Sequence, residues 1–482
     1  MTTTTDPLLT TEQPPTVPER EGVYGDRVAA VEPGGIEYIP ERERHGRPID
    51  LFWTWMSPNL EFATVFVGVI PITIFGGAFW PTAIALVLGS ALGSLTHAIL
   101  SSWGPKFGIP QMVQARGAFG FLGNILPAGL NTFTAGVGWF IVNSVSGAFA
   151  LQSLFGWRFW IGYVLVVAAQ VGVAFIGHNF VHVFERAVFP YLAVVFAIAT
   201  VVILTKAHYG AGFDHGAPVP FGGSSAALIL ALFISYGYAV GWNPYASDYS
   251  RYLPTSVDRK RVALWAGLGV FVSCSVLEIV GAGVGTLHGT SSNPTTNFTH
   301  PLGHALGDAV LIGITIGAVA ANVLNIYSGA MSFLTIGIRL PLRLRRALVA
   351  LASGTLGLVI GLVFKAEVGP GSHYENFLLA ITYWITPYLA VVLVDYWLRR
   401  GAYDEPEFFD PRRLRWRAPL AMAAGMAASV PFWDQGHPIP LGYFPKHHPQ
   451  IGDLSFFVGF IVAALVYLAL NAPRVRRRLL PL

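Results

Sequence analysis

The chain has 482 residues, of which 53% are hydrophobic and only 12% are charged, and its formal net charge at pH 7 is +4. Soluble proteins carry about 25% charged residues, so this composition excludes a soluble globular protein and indicates a multi-pass membrane protein. A positive excess this small predicts no nucleic-acid partner.

Charge and composition divide the chain into five regions. Residues 1–48 are rich in Thr, Pro, Glu and Arg, lack the apolar core of a signal peptide, and are predicted to form a disordered cytoplasmic tail. Residues 49–398 hold ten predicted helices, 399–416 a cytoplasmic loop, 417–473 two more helices and 474–482 a basic cytoplasmic tail. The predicted fold class is an all-α polytopic membrane protein.

Runs without Asp, Glu, Lys or Arg mark the spans, since a membrane-crossing helix needs about 20 apolar residues. Twelve helices are predicted, and helices 4, 5 and 7 are expected within the runs 159–184, 187–205 and 279–307. With both termini inside, 26 of the 30 Lys and Arg residues lie in cytoplasmic segments, and the exceptions are Arg158, Lys206, Lys365 and Lys446. Cytoplasmic loops concentrate Lys and Arg, so this distribution supports both the count and the orientation.

Helices 1 and 6 each contain a proline beside polar residues. The stretch WMSPNLEFATVFVG in helix 1 includes Ser57, Asn59 and Glu61, and GYAVGWNPYASDYSRYLP in helix 6 includes Trp242 and Pro244. Proline kinks or breaks a helix, and a break at membrane depth needs protein or a cavity around it. Breaks five helices apart are typical of transporters with two inverted repeats; the alternative is two tolerated kinks.

Helix 3 contains GVGWFIVNSVSG, which places Trp139 and Asn143 four residues apart on one face. An indole offers a stacking surface to a planar heterocycle, and a primary amide both donates to and accepts from an edge such as that of cytosine. Trp242 is the candidate for the opposite wall of this sandwich. In the alternative interpretation, Trp139 packs against lipid or a neighbouring helix and Asn143 bonds to another helix.

Helix 8 carries a second pair of amides within AANVLNIYSGAMSF. Asn322 and Asn325 lie one turn apart, and amides buried at membrane depth need partners. Asn325 is predicted to meet the ligand. Asn322 either belongs to the substrate or ion site or ties helix 8 to helix 1 or 3, and purely structural roles for both amides are the alternative.

Ionisable residues within spans are costly and are retained mostly for function or as paired charges. Glu61, beside the break in helix 1, is predicted to carry the coupling proton or to help hold a cation. Ser57 and Asn59 are candidate neighbours in the same site. The alternative for Glu61 is an ion pair with an Arg near the cytoplasmic surface.

Two further groups lie outside the predicted substrate site. Pro244 at the break of helix 6 is assigned a structural or gating role, and Asp248 and Arg251, three residues apart at the inner end of that helix, are predicted to form a structural or gating pair. His178 and His182 have the spacing i, i+4 in the predicted connection between helices 4 and 5, but no third ligand lies near them in the sequence. No metal site is therefore predicted.

Five stretches together resemble one family. They are WTWMSPNLEFATVFVG, GPKFGIPQMVQARGAFGFLGN, GWFIVN, GYAVGWNPYASDYSRYLP and NVLNIYSGAMSF. From about Phe52 to the last helix, the chain resembles the nucleobase-cation-symport-1 transporters, specifically their cytosine and purine permease branch. The resemblance implies a LeuT-like fold of two inverted five-helix repeats with two extra C-terminal helices. It also implies substrate binding by the positions that match the family, which are Trp139, Asn143, Trp242 and Asn325.

The sequence departs from the family pattern at one place that concerns the coupling ion. Sodium-dependent members of this fold place hydroxyl side chains on helix 8 before the substrate-facing Asn, whereas residues 316–321 here are Ile-Gly-Ala-Val-Ala-Ala. A sodium ion needs several oxygen ligands, and a helix interior offers no free carbonyl. Proton coupling is therefore favoured over sodium, with Glu61 as the carrier.

The predicted function is a symporter, not an enzyme, in the plasma membrane, with no cofactor beyond the coupling ion. Its predicted substrate is a nucleobase, cytosine or a purine. Two alternatives are an importer of a related heterocycle such as allantoin, uracil, hydantoin or pyridoxine, and a membrane receptor that binds such a ligand without moving it. A passive channel is a third, and the sequence makes no prediction of oligomeric state.

Overall fold

A computed structural model describes residues 17–19, 25–28, 32, 35–210, 223–338, 345–364, 374–435 and 440–474. These residues form helices and loops, with no strands apart from one isolated bridge between Glu19 and Tyr38. The helices at the twelve predicted positions are 1a (Asp50–Met56), 1b (Phe62–Thr73), 2 (Phe79–Ser101), 3 (Ile125–Phe155), 4 (Phe159–Ile176), 5 (His178–Lys206), 6 (Ser224–Ser250), 7 (Arg259–Gly285), 8 (His304–Thr335), 9 (Arg345–Phe364), 10 (Tyr374–Arg399), 11 (Arg417–Ser429) and 12 (Ser455–Leu470).

Within the described residues, eight helices are long and apolar enough to cross a membrane, and the bent helix 1 makes nine. Helix 11 has 13 residues, about 20 Å of helix against a hydrocarbon core of about 30 Å. The all-helical multi-pass class is confirmed. The count of twelve spans stays a prediction.

The predicted boundary between helices 4 and 5 is wrong. Helix 4 ends at Ile176 and helix 5 begins at His178, because Gly177 has φ 113° and ψ −168°, a conformation open essentially to glycine. Glu185 therefore lies inside helix 5, fully buried, where it accepts a hydrogen bond from the hydroxyl of Ser57 in helix 1. The prediction fails because the charge of Glu185 lies inside a span and does not mark its end.

The predicted boundary of helix 7 is also wrong, again because a buried carboxylate lies inside the helix. Helix 7 spans Arg259–Gly285, whereas the predicted run 279–307 covers only its last turns and the loop that follows. The cause is Glu278, a fully buried carboxylate that accepts hydrogen bonds from Ser90 of helix 2 (3.0 Å) and Ser235 of helix 6 (2.5 Å). A carboxylate with two donors is tolerated inside the membrane domain, so a break in an apolar run does not always end a helix.

Helix pairing follows the repeat. Helix 1 packs on helix 7 and helix 6 packs on helix 2, which are equivalent pairs if helices 1–5 and 6–10 are two copies of one unit; helices 3 and 8, also equivalent, pack on each other. Helix 1b and helix 7 approach so closely that a Cβ on Gly281 would collide with the carbonyl of Val65, as small residues at membrane-helix interfaces allow. Helices 11 and 12 pack on each other and on helix 10.

The prediction that residues 1–48 are disordered is wrong for residues 35–48. Arg44 is buried and its Nε donates to the carbonyl oxygen of Ile39 (2.8 Å), while the N–H of Ile39 donates to Gly108 (2.9 Å). Upstream, the buried carboxylate of Glu32 accepts from the N–H of His178 (3.0 Å). The segment before helix 1 is thus held against the membrane domain by specific bonds.

Candidate functional site

The break in helix 1 is a sharp bend. Helices 1a and 1b meet at 56° across a 3₁₀ turn, Ser57–Asn59. Helix 1a ends with a carbonyl of Trp55 that accepts from the Asn59 side chain (2.7 Å). Helix 1b is preceded by Glu61, which is extended and whose carboxylate accepts from the N–H of Ala63 (2.7 Å). Both new helix ends are therefore capped by side chains from the break itself.

The break in helix 6 is milder and is built around Asn243 and Pro244. Pro244 has no N–H to donate to the carbonyl of Val240, four residues earlier. The side chain of Asn243 donates to that carbonyl instead (3.1 Å) and also to the carbonyl of Gly93 on helix 2 (3.2 Å). Ser224–Ser250 remains a single span of 27 residues, so the Asn-Pro pair introduces a 3₁₀ turn without a sharp change of direction.

The two breaks are bonded to each other. Trp242 donates from its indole nitrogen to the Oδ1 of Asn59 (2.9 Å), which links the helix 6 break to the helix 1 break directly. Its ring makes edge contacts with Trp55 (5.8 Å between centroids) and Tyr245 (5.6 Å). The predicted meeting of the two interruptions is therefore present in the structure.

Trp139 lies against the helix 6 break from the side of helix 3. It ends a π-helical stretch, Thr134–Trp139, a distortion often found at functional sites. Edge contacts from Tyr238 (5.3 Å) and Phe377 (5.1 Å) surround its ring, and a Cβ added to Gly241 would lie 3.0 Å from the indole. Only 5% of Trp139 is exposed, so an aromatic box encloses it.

The amides of helices 3 and 8 form one chain. Asn143 donates to the Oδ1 of Asn322 (3.0 Å), Asn325 donates to the same oxygen (3.3 Å), and the Oδ1 of Asn325 accepts from Tyr245 of helix 6 (2.9 Å). The Nδ2 of Asn322 donates to Gln170 of helix 4 (2.9 Å). Asn322 therefore lies at the centre of the chain, bonded to helices 3 and 4, whereas Asn143 and Asn325 lie at its ends.

Glu61 faces the aromatic box. Its second carboxylate oxygen accepts from the hydroxyl of Tyr238 (3.3 Å), which is also within 2.6 Å of the Thr64 hydroxyl. Helix 8 packs closely against the residues around Glu61, since a Cβ on Gly317 would collide with the carbonyl of Leu60. The other candidate of helix 1, Ser57, is directed toward Glu185 of helix 5 instead.

Several residues of the site were missed by the sequence interpretation. Tyr238 and Tyr245 flank Trp242 at i−4 and i+3, which places all three on one helical face, so the spacing in GYAVGWNPY carried the signal. Gln170 stands out as a lone amide in apolar helix 4. Phe377 of helix 10 is one apolar residue among many, and its position against Trp139 follows only from the fold.

Asp248 and Arg251 do not pair with each other in the structure. Asp248 accepts from the N–H of Gln111 (2.8 Å), and the guanidinium of Arg251 lies 3.8 Å from the carboxylate of Glu32. Both are buried at the basic end of helix 6. Each thus ties helix 6 to a different segment, which corrects the interpretation of a mutual pair and leaves gating as a prediction.

The two histidines lie in helix 5 and not in the predicted connection. His178 stacks on Tyr252 (3.6 Å between centroids) and His182 bonds with Thr54 (3.0 Å). Across the ranges that the structure describes, no group of three His, Cys, Asp or Glu side chains is arranged to hold a metal ion.

Broken helices 1 and 6, an enclosed indole and a chain of amides lie together at the centre of the bundle. A family model described as a permease for cytosine/purines, uracil, thiamine and allantoin matches residues 38–459. The chain belongs to this permease family. The resemblance seen in the sequence is thereby confirmed, and the protein is a transporter and not an enzyme.

Individual members of the permease family are distant but collinear. YxlA of Bacillus subtilis, provisionally named a purine-cytosine permease, is 28% identical over 93% of this chain and 97% of its own. The purine-cytosine permease fcyB of Emericella nidulans is 28% identical over 94% of this chain and 93% of its own. A solved structure of the nucleobase-cation-symport-1 transporter Mhp1, closed with bromovinylhydantoin bound, has a TM-score of 0.71 at 19% identity over 94% of this chain and 97% of its own. That likeness confirms the fold.

The side chains of the candidate site are buried within the bundle. The exposed fractions of Asn143 and Asn325 are 2% and 1%, and Trp242, at 6%, is hardly more accessible. A ligand that stacked on Trp139 and paired with the amides would thus be removed from water, which strengthens hydrogen bonds and raises the cost of any unpaired polar edge.

Proposed function

We propose that this permease is a proton-coupled importer of a nucleobase, cytosine or a purine, in the plasma membrane with both termini cytoplasmic. The observation that carries the proposal is the placement of Trp139 and the ends of the amide chain at one enclosed point between the two breaks. A flat ring fits an indole face, and a nucleobase edge alternates donors and acceptors as a primary amide does. The names of the relatives point the same way.

Asn143 and Asn325 are the substrate-facing ends of the amide chain in this proposal. Within the described residues, Asn143 uses one N–H on Asn322, so its oxygen and second N–H remain for a donor and acceptor pair on the base. Asn325 keeps one N–H beyond its bond to Asn322. Asn322 orients both amides and need not touch the ligand.

Trp242 is proposed to bound the site through the helix 6 break. Its indole N–H is engaged by Asn59 and its ring contacts Trp55 and Tyr245, so it serves as a fixed wall next to Trp139. A fixed aromatic surface selects flat ligands by stacking and does not distinguish the hydrogen-bonding groups on their edges. Selection among bases then rests on the amides.

Glu61 is proposed to carry the coupling proton. Ionised, its carboxylate caps helix 1b through the N–H of Ala63 and interacts favourably with the positive end of that half-helix. Protonated, it loses this charge interaction and becomes able to donate, so that proton uptake weakens one end of the break. Residues 316–321 of the adjoining helix 8 carry no hydroxyl side chain that could bind sodium.

The test is uptake of radiolabelled cytosine into proteoliposomes under an inward proton gradient, with adenine, guanine, hypoxanthine, uracil, allantoin and pyridoxine as competitors. Accumulation above the outside concentration, suppressed by a subset of these compounds, is expected. Asn143→Ala should raise the apparent KM about 10- to 100-fold, as loss of a buried amide contact predicts. Asn131→Ala is the matched control, because Asn131 is buried on the same helix but bonds Ser332 (2.7 Å).

Three results would contradict parts of the proposal. Uptake that follows a sodium gradient and ignores a pH gradient excludes proton coupling. Equilibration without accumulation identifies a channel, and binding without any uptake identifies a receptor. An equal loss in the Asn143 and Asn131 variants removes Asn143 from the substrate site.

A further inference from the structure

A polar cavity lies at the end of the bundle that carries the loops assigned to the cytoplasm, and no residue of either break lines it. Its volume is about 490 Å³, and it opens between the ends of helices 10, 11 and 12 and the loop 410–416. Six arginines line it: Arg399, Arg412, Arg413, Arg415, Arg417 and Arg474. The permease mechanism uses none of them.

Positive charge exceeds negative charge around this cavity. Arg412 follows Asp410, whose carboxylate accepts from its backbone N–H (3.0 Å). The other five guanidiniums share two carboxylates among the described residues: Asp395, which bonds Arg399 (2.8 Å), and Glu407, which lies between Arg413 and Arg415. The charge that these carboxylates leave unbalanced favours an anionic occupant.

Arg417 and Arg474 hold much of the unbalanced charge. Arg417 donates to the neutral amide of Asn471 (3.2 Å) and lies 5.9 Å from the centroid of the Trp416 ring. Within the described part of the chain, neither Arg417 nor Arg474 forms an ion pair with a carboxylate. Burial lowers the pKa of Arg415, and repulsion from Arg399 acts in the same direction. Guanidinium groups that repel one another would be stabilised by a bound anion.

The rim of the cavity is apolar and aromatic. Trp416 and Leu414 line the cavity and are 54% and 52% exposed, and Leu420 on the first turns of helix 11 is 49% exposed. Exposed Trp residues of membrane proteins concentrate at the level of the lipid headgroups. Trp416 therefore favours a cavity mouth at the depth of the lipid phosphates, beside apolar surface suited to lipid tails.

We infer that this cavity binds the phosphate headgroup of an anionic phospholipid, with its acyl chains lying over Leu414, Trp416 and Leu420. Arginine forks match phosphate oxygens, and basic pockets between membrane helices on the cytoplasmic side are suited to such headgroups. A freely diffusing phosphate shares the headgroup chemistry but makes no use of the apolar rim.

A lipid bound in this cavity would contact a loop that is hydrogen-bonded to the segment before helix 3. Loop 410–416 is bonded to the segment before helix 3: the N–H of Leu122 donates to Arg413 (3.0 Å), the N–H of Arg415 donates to Phe119 (3.1 Å), and the guanidinium of Arg415 donates to Gly117. A phosphate held by this loop and by helices 11 and 12 joins the accessory helices to the segment that leads to Trp139.

The test titrates the purified full-length protein in detergent with dioctanoyl phosphatidylglycerol, dioctanoyl phosphatidylcholine and inorganic phosphate, with bound lipid counted by native mass spectrometry. Preferential binding of phosphatidylglycerol is expected, and Arg417→Gln with Arg474→Gln should weaken it about tenfold. Lys260→Gln with Arg261→Gln should leave it unchanged. Lys260 and Arg261 are exposed at the same end of the bundle, and their substitution removes two positive charges, as the Arg417 and Arg474 substitutions do.

The lysine pair Arg417→Lys with Arg474→Lys separates lost charge from lost folding, since it keeps the charge and should retain most of the binding. Equal binding of phosphatidylcholine and phosphatidylglycerol would overturn the inference. So would an equal loss in the Lys260 and Arg261 control. Inorganic phosphate that blocks phosphatidylglycerol binding at similar concentration would show that the cavity takes a free anion, and would overturn the lipid assignment.

Discussion

The two helix breaks differ in how the backbone groups freed by each interruption are hydrogen-bonded. In helix 1 the chain bends by 56°, and the side chains of Asn59 and Glu61 cap the two new helix ends. In helix 6 the span continues for 27 residues, and Asn243 replaces the one hydrogen bond that Pro244 removes. Helix 1 therefore holds an ionisable group at its break, whereas helix 6 holds only neutral ones.

This difference suggests that helix 1 and helix 6 have different roles in transport. A break capped by a carboxylate changes its stability when the carboxylate gains a proton, so helix 1 is suited to sense the coupling ion. A break capped by a neutral amide does not respond to protons, so helix 6 is suited to hold the aromatic wall of Trp242, Tyr238 and Tyr245 in a fixed position. The bond from Trp242 to Asn59 joins the two functions.

The largest effect is expected for Glu61→Gln. Glutamine keeps the shape and can still accept from Ala63, but it cannot take up or release a proton. Accumulation of labelled cytosine driven by a pH gradient should be abolished, while exchange of cytosine across the membrane without a gradient should persist. Proteoliposome uptake and counterflow measure the two quantities separately.

Glu278→Gln is the matched control for this comparison. Glu278 is equally buried and also accepts two hydrogen bonds, but it lies in helix 7 and its partners, Ser90 and Ser235, are outside both breaks. It should keep proton-driven accumulation. If the Glu278 variant loses coupling and the Glu61 variant keeps it, the sensing role does not belong to helix 1.

The sequence predicted the breaks better than it predicted what caps them. Pro244 and the polar run around Asn59 mark interruptions because their backbone chemistry is local. The bond between Trp242 and Asn59 is not local, since it depends on how helices 1 and 6 cross. Glu185 and Glu278 interrupt the apolar runs in the sequence without ending a helix, because only the packed structure supplies the hydroxyls that let a carboxylate lie inside a span.

An intermediate effect is expected from Asn59→Ala and Trp242→Phe. Either change leaves a buried partner unsatisfied, which costs about 1 to 3 kcal/mol, and the double variant should cost less than the sum because both partners are then gone. Unfolding by sodium dodecyl sulfate in mixed micelles measures the four free energies of the cycle.

Trp80→Phe serves as the control for the aromatic change, because Trp80 is 61% exposed and its loss should have little effect on stability. Additive single effects would mean that the two breaks are not energetically joined. In that case the helix 6 wall would move independently of helix 1, and the proton would need another route to influence the substrate site.

The smallest effect concerns helix 6 alone. Asn243→Ala removes the donor to the carbonyl of Val240, so the free energy of unfolding should fall by about 1 kcal/mol. Adding Pro244→Ala restores a backbone N–H to that carbonyl, so the double variant should be more stable than Asn243→Ala. The same mixed-micelle unfolding measures this rescue. If Pro244→Ala fails to rescue, the contact from Asn243 to Gly93 on helix 2 holds the break, and the proline only tolerates a turn that tertiary packing imposes.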